Sequence, residues 1–213
     1  MSRKLIAALA AVTVAALVGG TLGYVQMKRN QDPYADCRGS GIASAGAIGG
    51  PFTLMDEQGK PFTEKDLAAK PALVYFGYTF CPDVCPMDNA RNAEAVDILE
   101  ERGYEVTPVF ISIDPARDTP EVVRDFAGNL HPRMIGLTGS PEQVKAASQA
   151  YKTYFKKQEG GDPEFYLMDH STYTYLVLPD RGFTDYYGRD TTAEEMADRV
   201  GCFLQADGTS TTN

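Results

Sequence analysis

The sequence has no tryptophan, two histidines and four cysteines in 213 residues. Four cysteines at this length are too few for a fold stapled mainly by disulfides. Grouped basic residues are scarce as well: 20 Lys and Arg stand against 29 Asp and Glu, a net charge of −9. That balance argues against nucleic acid as a partner, because phosphate backbones are held by clustered cations. With so few imidazoles, histidine chemistry rests on His131 or His170. No cysteine directly follows the N-terminal apolar run, which removes a lipoprotein reading, and no internal repeat is present. What is there suits one packed domain with flanking segments: 43% hydrophobic residues, including twelve Tyr and ten Phe.

Arg3 and Lys4 precede an uncharged stretch from Leu5 to Val25. A helix of that length covers a hydrocarbon core of ~30 Å. It reads as an uncleaved anchor or as a cleaved secretory peptide, Thr21-Leu22-Gly23 offering small residues for cleavage; the length favours the anchor. Lys28 and Arg29 offset the positive charges before the run, so charge asymmetry sets orientation poorly. Either way the following domain is expected outside. The division expected is 1–27 as membrane anchor or signal, 28–50 as linker, 51–206 as the folded domain and 207–213 as a frayed tail. The linker assignment rests on Gln31-Asp32-Pro33 and the small-residue run Gly39 to Gly46.

From Pro51 onward, structure is expected throughout. Phe52 to Leu54 and Pro61 to Thr63 flank a turn signal, Asp56-Glu57-Gln58-Gly59, as in a hairpin. Ala72 to Tyr78 is a continuous apolar run, the mark of a strand buried on both faces. A helix follows from about Val84 to Arg102, then a buried strand from Val106 to Ile113. Thr119-Pro120 opens a helix to Asn129, Met134 to Leu137 forms a strand, and Ser140-Pro141-Glu142-Gln143 begins another helix. After a Gly-rich stretch at 159–163, strands are expected at Tyr173 to Leu178 and Phe183 to Tyr187, with a closing helix from Thr192 to Leu204. Strands alternating with helices imply a parallel sheet with crossovers. The fold class expected is α/β: a thioredoxin-like fold with an N-terminal hairpin and an inserted helix.

Chemistry concentrates at Tyr78-Thr79-Phe80-Cys81-Pro82-Asp83-Val84-Cys85-Pro86, a strand followed by a short turn and a helix. Cys81 should sit at the helix N-terminus, where free N–H groups and the dipole favour a thiolate. Cys85 is about one turn further and can face the same pocket. The bland alternative is a pair of buried structural cysteines. His131, in Leu130-His131-Pro132, reads as a surface turn residue. His170 directly precedes the strand from Tyr173, in a loop that packs against the dithiol turn in a thioredoxin-like fold. Two thiolates and one imidazole suit copper, as Cu(I) or also Cu(II). Structural zinc wants a fourth ligand; Asp83 or Asp169 could complete one, so zinc is disfavoured and not excluded. Asp169 could instead orient His170. Cys37 and Cys202 are left over. In an oxidising compartment they can pair, or Cys202 can be core and Cys37 free.

At these residues the chain resembles the Sco/SenC family of copper-delivery proteins for cytochrome c oxidase assembly. The resemblance runs from about Gly50 to Leu204. Its specific part is Tyr75 to Pro86, supported by Phe110 to Pro120 and by Asp169-His170-Ser171. It implies a domain tethered to the bacterial inner membrane and facing the periplasm. Copper would be held by Cys81, Cys85 and His170, received from an upstream copper donor and delivered to the binuclear copper site of oxidase subunit II. Two rivals stay open. One is a thiol–disulfide oxidoreductase acting on the oxidase subunit's cysteines through Cys81 and Cys85, although their spacing is three residues and not two. The other is a redox or copper sensor. Enzymatic activity is left undecided, with a carrier preferred.

Overall fold

The computed structural model describes residues 3–30, 32–38, 48–160 and 165–208. The small-residue run from Gly39 to Gly46, the middle of the Gly-rich stretch (161–163) and the tail from 209 onward lie outside the described residues. The chain opens with α1 (Arg3–Asn30), a single helix that runs past the expected boundary at residue 27. Its window Ala10–Met27 has mean hydropathy 1.5 and none of it is buried. By length and composition it can cross a membrane.

The domain is built on a five-stranded sheet of β3 (Ala72–Gly77), β4 (Thr107–Ser112), β5 (Ile135–Leu137), β8 (Thr174–Leu178) and β9 (Gly182–Tyr187). Their order is β5-β4-β3-β8-β9. The first three are parallel, while β8 is antiparallel to β3 and β9 to β8. β3 lies at the centre with every residue buried, which is why its sequence is apolar without alternation. Its side chains divide between the two faces. Leu73 packs with Val96 and Leu99 of α3 (Val84–Glu101) and with Val200 and Phe203 of α6 (Ala193–Ala206). Phe76 points the other way, its ring 5.4 Å from that of Tyr151 at the end of α5 (Pro141–Ala150). α4 (Pro120–Leu130) covers β4 and β5, with Phe110 and Phe126 rings 4.6 Å apart. A two-stranded hairpin, β1 (Thr53–Met55) with β2 (Pro61–Thr63), lies over the α5 side through Leu54 and Val144. This is the expected thioredoxin-like α/β plan, with β1–β2 as the N-terminal hairpin.

The N-terminal signals behave as their chemistry demands. Thr119, Ser140 and Thr192 each accept a backbone N–H at the start of α4, α5 and α6. Three features depart from expectation. A single helical turn, α2 (Glu64–Leu67), follows the hairpin. β6 (Phe155–Lys157) and β7 (Met168–His170) form a separate antiparallel ribbon that brackets the Gly-rich stretch. Its strands are three residues long and rich in charge, too short and polar for periodicity to reveal. His170 therefore ends a strand and is not a loop residue. Finally, the expected 28–50 linker includes an ordered strap. Asp32–Arg38 turns on itself through Cys37 N–H to Tyr34 O at 3.0 Å, and Tyr34 and Cys37 are buried with Phe203. One large aromatic side chain and one disulfide suffice to dock a segment whose average composition is polar.

Candidate metal centre

The site begins where β3 ends. Gly77 closes the strand because nothing larger fits: a Cβ there would lie 2.9 Å from Cys85 Sγ and 2.9 Å from the Tyr75 ring. The turn that follows is held by Asp118, which accepts from Thr79 N–H at 3.1 Å, Thr79 Oγ1 at 2.6 Å and Ser112 Oγ at 2.5 Å. Burial raises the Asp118 pKa while these bonds oppose the rise. Asp118 was missed as a positioning residue. The run Phe110 to Pro120 contains it, but no local pattern singles it out.

Cys81 lies just before α3 and its sulfur accepts the Cys85 backbone N–H at 3.3 Å. The Cys85 thiol and the Asp83 and Cys85 backbone N–H groups lower the Cys81 pKa to about 3. The unpartnered amides at a helix start are the source of that preference for an anion. Cys85 is shifted upward, first because its proton is shared with Cys81 and then by burial. The pair thus holds one thiolate and one thiol. Both cysteines are buried and neither is in a disulfide.

His170 reaches this pair from β7, its Nε2 3.5 Å from Cys85 Sγ. Its Nδ1 lies 2.8 Å from Ser171 O, a carbonyl that can only accept. That contact places the proton on Nδ1 and leaves the Nε2 lone pair facing the sulfurs. Tyr78 and Tyr75 stand edge-on to the imidazole, with centroids 5.7 and 6.3 Å away. Tyr75 is fixed in turn by donating to Asp88 at 2.9 Å, and Asp88 also accepts from Arg189 at 3.3 Å. Ser171 is tied to Tyr154 by two bonds, of 2.9 and 3.0 Å, which set the start of the descent into β8.

Among the described residues, Cys81, Cys85 and His170 form the one group that could hold a metal, their ligand atoms all within 4.8 Å of one another. Two soft sulfurs and one imidazole fit copper. The acidic candidates do not join them. Asp169 is exposed and accepts from Gln158 at 2.7 Å, so the Ser171 carbonyl, and not Asp169, orients His170. Asp83 caps α3 by position alone, exposed and without a side-chain capping bond; its backbone N–H is what acts on Cys81. A zinc site thus lacks its fourth protein ligand here. His131 is not a surface residue. It is 6% exposed, beside Asp97 at 3.2 Å, and its Nδ1 accepts from Arg133 N–H at 3.0 Å. A Pro on its C-terminal side suggests a turn, but the helix end folds back onto α3. Cys37 and Cys202 are joined by a disulfide, with Cα atoms 5.5 Å apart.

The family model described as SCO1/SenC matches residues 41–205. Protein SenC of Rhodobacter capsulatus is 53% identical over 207 residues, covering 97% of this chain and 93% of that one. The crystal structure of Arabidopsis thaliana ScoI with copper bound superposes with a TM-score of 0.70 at 43% identity, covering 75% of this chain and 99% of that one. Yeast Sco1 with copper bound gives 0.71 at 35% identity, covering 78% and 96%.

Proposed function

This chain belongs to the SCO1/SenC family, and from that membership we propose that Cys81, Cys85 and His170 together carry one copper ion as cargo for cytochrome oxidase assembly. The observation that carries the reading is the convergence of the two sulfurs and His170 Nε2 within 4.8 Å, from residues 89 positions apart at the extremes. Copper-bound relatives of the same fold support the choice of metal. The donor set supports it independently, because soft sulfur with imidazole suits both copper oxidation states. Three protein ligands leave room for a partner's ligand, which a carrier needs in order to release its ion. Exposed apolar side chains beside the ligands, Phe80 and Met87 at 51% and 60%, suit docking of another protein. The receiving protein in this reading is oxidase subunit II at its binuclear copper site, with a separate protein donating the ion. α1 holds the chain in the bacterial inner membrane with the domain in the periplasm. The Cys37–Cys202 disulfide is consistent with that oxidising compartment.

Anaerobic Cu(I) titration of the reduced domain, beside His170→Ala and Cys85→Ala, tests the site. One tightly bound ion per chain is expected, weakened at least tenfold in each variant, which corresponds to about 1.4 kcal/mol. Binding indifferent to His170 would overturn the three-ligand site.

One observation favours a second reading. The Cys81 thiolate with a neighbouring Cys85 thiol is the pairing a thiol–disulfide oxidoreductase uses to attack and then resolve a mixed disulfide. His170 separates the two. Dithiol exchange should survive His170→Ala, whereas copper carriage should not.

A further inference from the structure

The end of the domain farthest from the cysteines carries an inference that rests on the reading of α1 as a membrane anchor. Strand register defines the two poles. β3 runs toward the cysteine turn and β8 runs back from His170, so Tyr75 lies beside Thr174 and Ala72 beside Val177. The β8–β9 turn, where Leu178 pairs with Gly182, is therefore at the pole away from the ligands. α6 begins at the ligand pole: Arg91 of α3 donates to Thr191 O at 3.4 Å and to Thr174 Oγ1 at 3.0 Å. It ends at the other, where its C-cap Asp207 lies 3.5 Å from Arg181 of the β8–β9 turn.

The strap Asp32–Arg38 is fastened to that second pole. Cys37 is bonded to Cys202, and the Tyr34 ring packs on Phe203 with centroids 5.5 Å apart. The Tyr34 hydroxyl donates to Asp207 at 2.5 Å, and the Arg181 guanidinium sits 5.6 Å over the same ring. Gln31 alone separates Asn30, the last residue of α1, from Asp32. The two steps from Asn30 to Asp32 span at most ~7 Å. The end of α1 and the strap pole are therefore almost in contact along the chain.

We propose that the disulfide-clamped strap seats this pole on the membrane and points Cys81, Cys85 and His170 outward, toward an acceptor whose metal site stands clear of the bilayer. The standoff follows from the elements between the poles. The six residues of β3 span roughly 20 Å and the 14 residues of α6 about 21 Å, so the site stands some 20–25 Å from the attachment. Were the strap free, the tether from Gln31 to Pro51 would be about 20 residues. A flexible chain of that length spans on the order of 25 Å and leaves orientation open.

Energy transfer to dye-labelled lipids in nanodiscs carrying the full chain tests the proposal. A donor dye is placed through an encoded azide either at Met87, near the ligands, or at Asp180, in the β8–β9 turn. Transfer from position 180 should exceed that from position 87 several-fold in the oxidised chain. The difference should collapse in Cys37→Ser/Cys202→Ser, and also when a Gly-Ser insertion of about 12 residues follows Gln31 with the disulfide kept. The insertion decides if the double variant does not fold. Equal transfer from both positions in the oxidised chain, or a difference that survives the insertion, overturns the proposal. Co-elution with the disc is scored separately. A chain that fails to co-elute overturns the anchor reading together with the proposal, whereas one that co-elutes with equal transfer overturns the proposal alone.

Discussion

Cys81 and Cys85 are the same residue type four positions apart, yet their environments push them in opposite senses. Cys81 meets donors: the Cys85 thiol and two backbone amides at the start of α3. Cys85 is wholly buried beneath Tyr75 and keeps its proton. This asymmetry sets a sign for the pH dependence of copper binding. Cys81, with its pKa lowered to about 3, has already lost its proton at neutral pH and contributes no slope. Cys85, shifted upward, must release a proton to ligate. Cu(I) affinity should therefore rise with pH by about tenfold per unit between pH 7 and 9, as loss of one proton requires. Competition titrations against a chelator of known pH dependence would measure it. A slope near two would mean that Cys81 also carries its proton.

Elements matter here through where they stop. β3 stops at Gly77 and α3 begins at Val84, and the intervening turn hangs from Asp118 across the top of β4. The close approach of β3 to the first turn of α3 is what brings Cys85 down onto Tyr75. Gly77→Ala would push a methyl group into Cys85 Sγ and the Tyr75 ring, each 2.9 Å away. Both neighbours are locked, Cys85 by its place in the helix and Tyr75 by its bond to Asp88. The expected cost is about 1–3 kcal/mol of stability, as for overpacking a filled core. Copper affinity should fall as well, because the displaced atom is itself a ligand. Urea unfolding and Cu(I) titration of the same variant would show whether the two losses go together. Stability loss with unchanged copper binding would place the adjustment elsewhere in β3.

At the scale of the whole molecule, two cysteine pairs occupy opposite poles and do different work. The pair at the ligand pole is not joined by a disulfide. The other closes the chain across a separation of 165 residues. By the chain-entropy account a loop of that size can stabilise by up to about 5 kcal/mol, and measured cases commonly fall at about 2–4. Cys37→Ser/Cys202→Ser should therefore lower the unfolding free energy of the domain by about 2–5 kcal/mol in urea. Copper binding should be nearly unaffected, since the ligands lie at the far end of β3. A loss of copper affinity comparable to that of His170→Ala would show that the strap supports the site through α6.

The sequence by itself determined the sheet, the main helices and the two cysteines at the start of α3. Each of these is written in local pattern: a buried apolar run for β3, Thr-Pro and Ser-Pro caps for α4 and α5, sulfur one turn apart at a helix start. It also marked His170 as the histidine to consider, because the segment before the strand from Tyr173 packs against the dithiol turn in a thioredoxin-like fold. Tertiary structure alone decided what surrounds His170, since the edges of Tyr75 and Tyr78 reach it from β3 and the turn after it. It decided that Asp169 faces Gln158, that His131 is buried against α3, and that Tyr34 and Cys37 dock on α6. Local pattern reports a residue's own chain neighbours, whereas these contacts join residues 11 to 173 positions apart. Only the folded sheet brings such residues within reach.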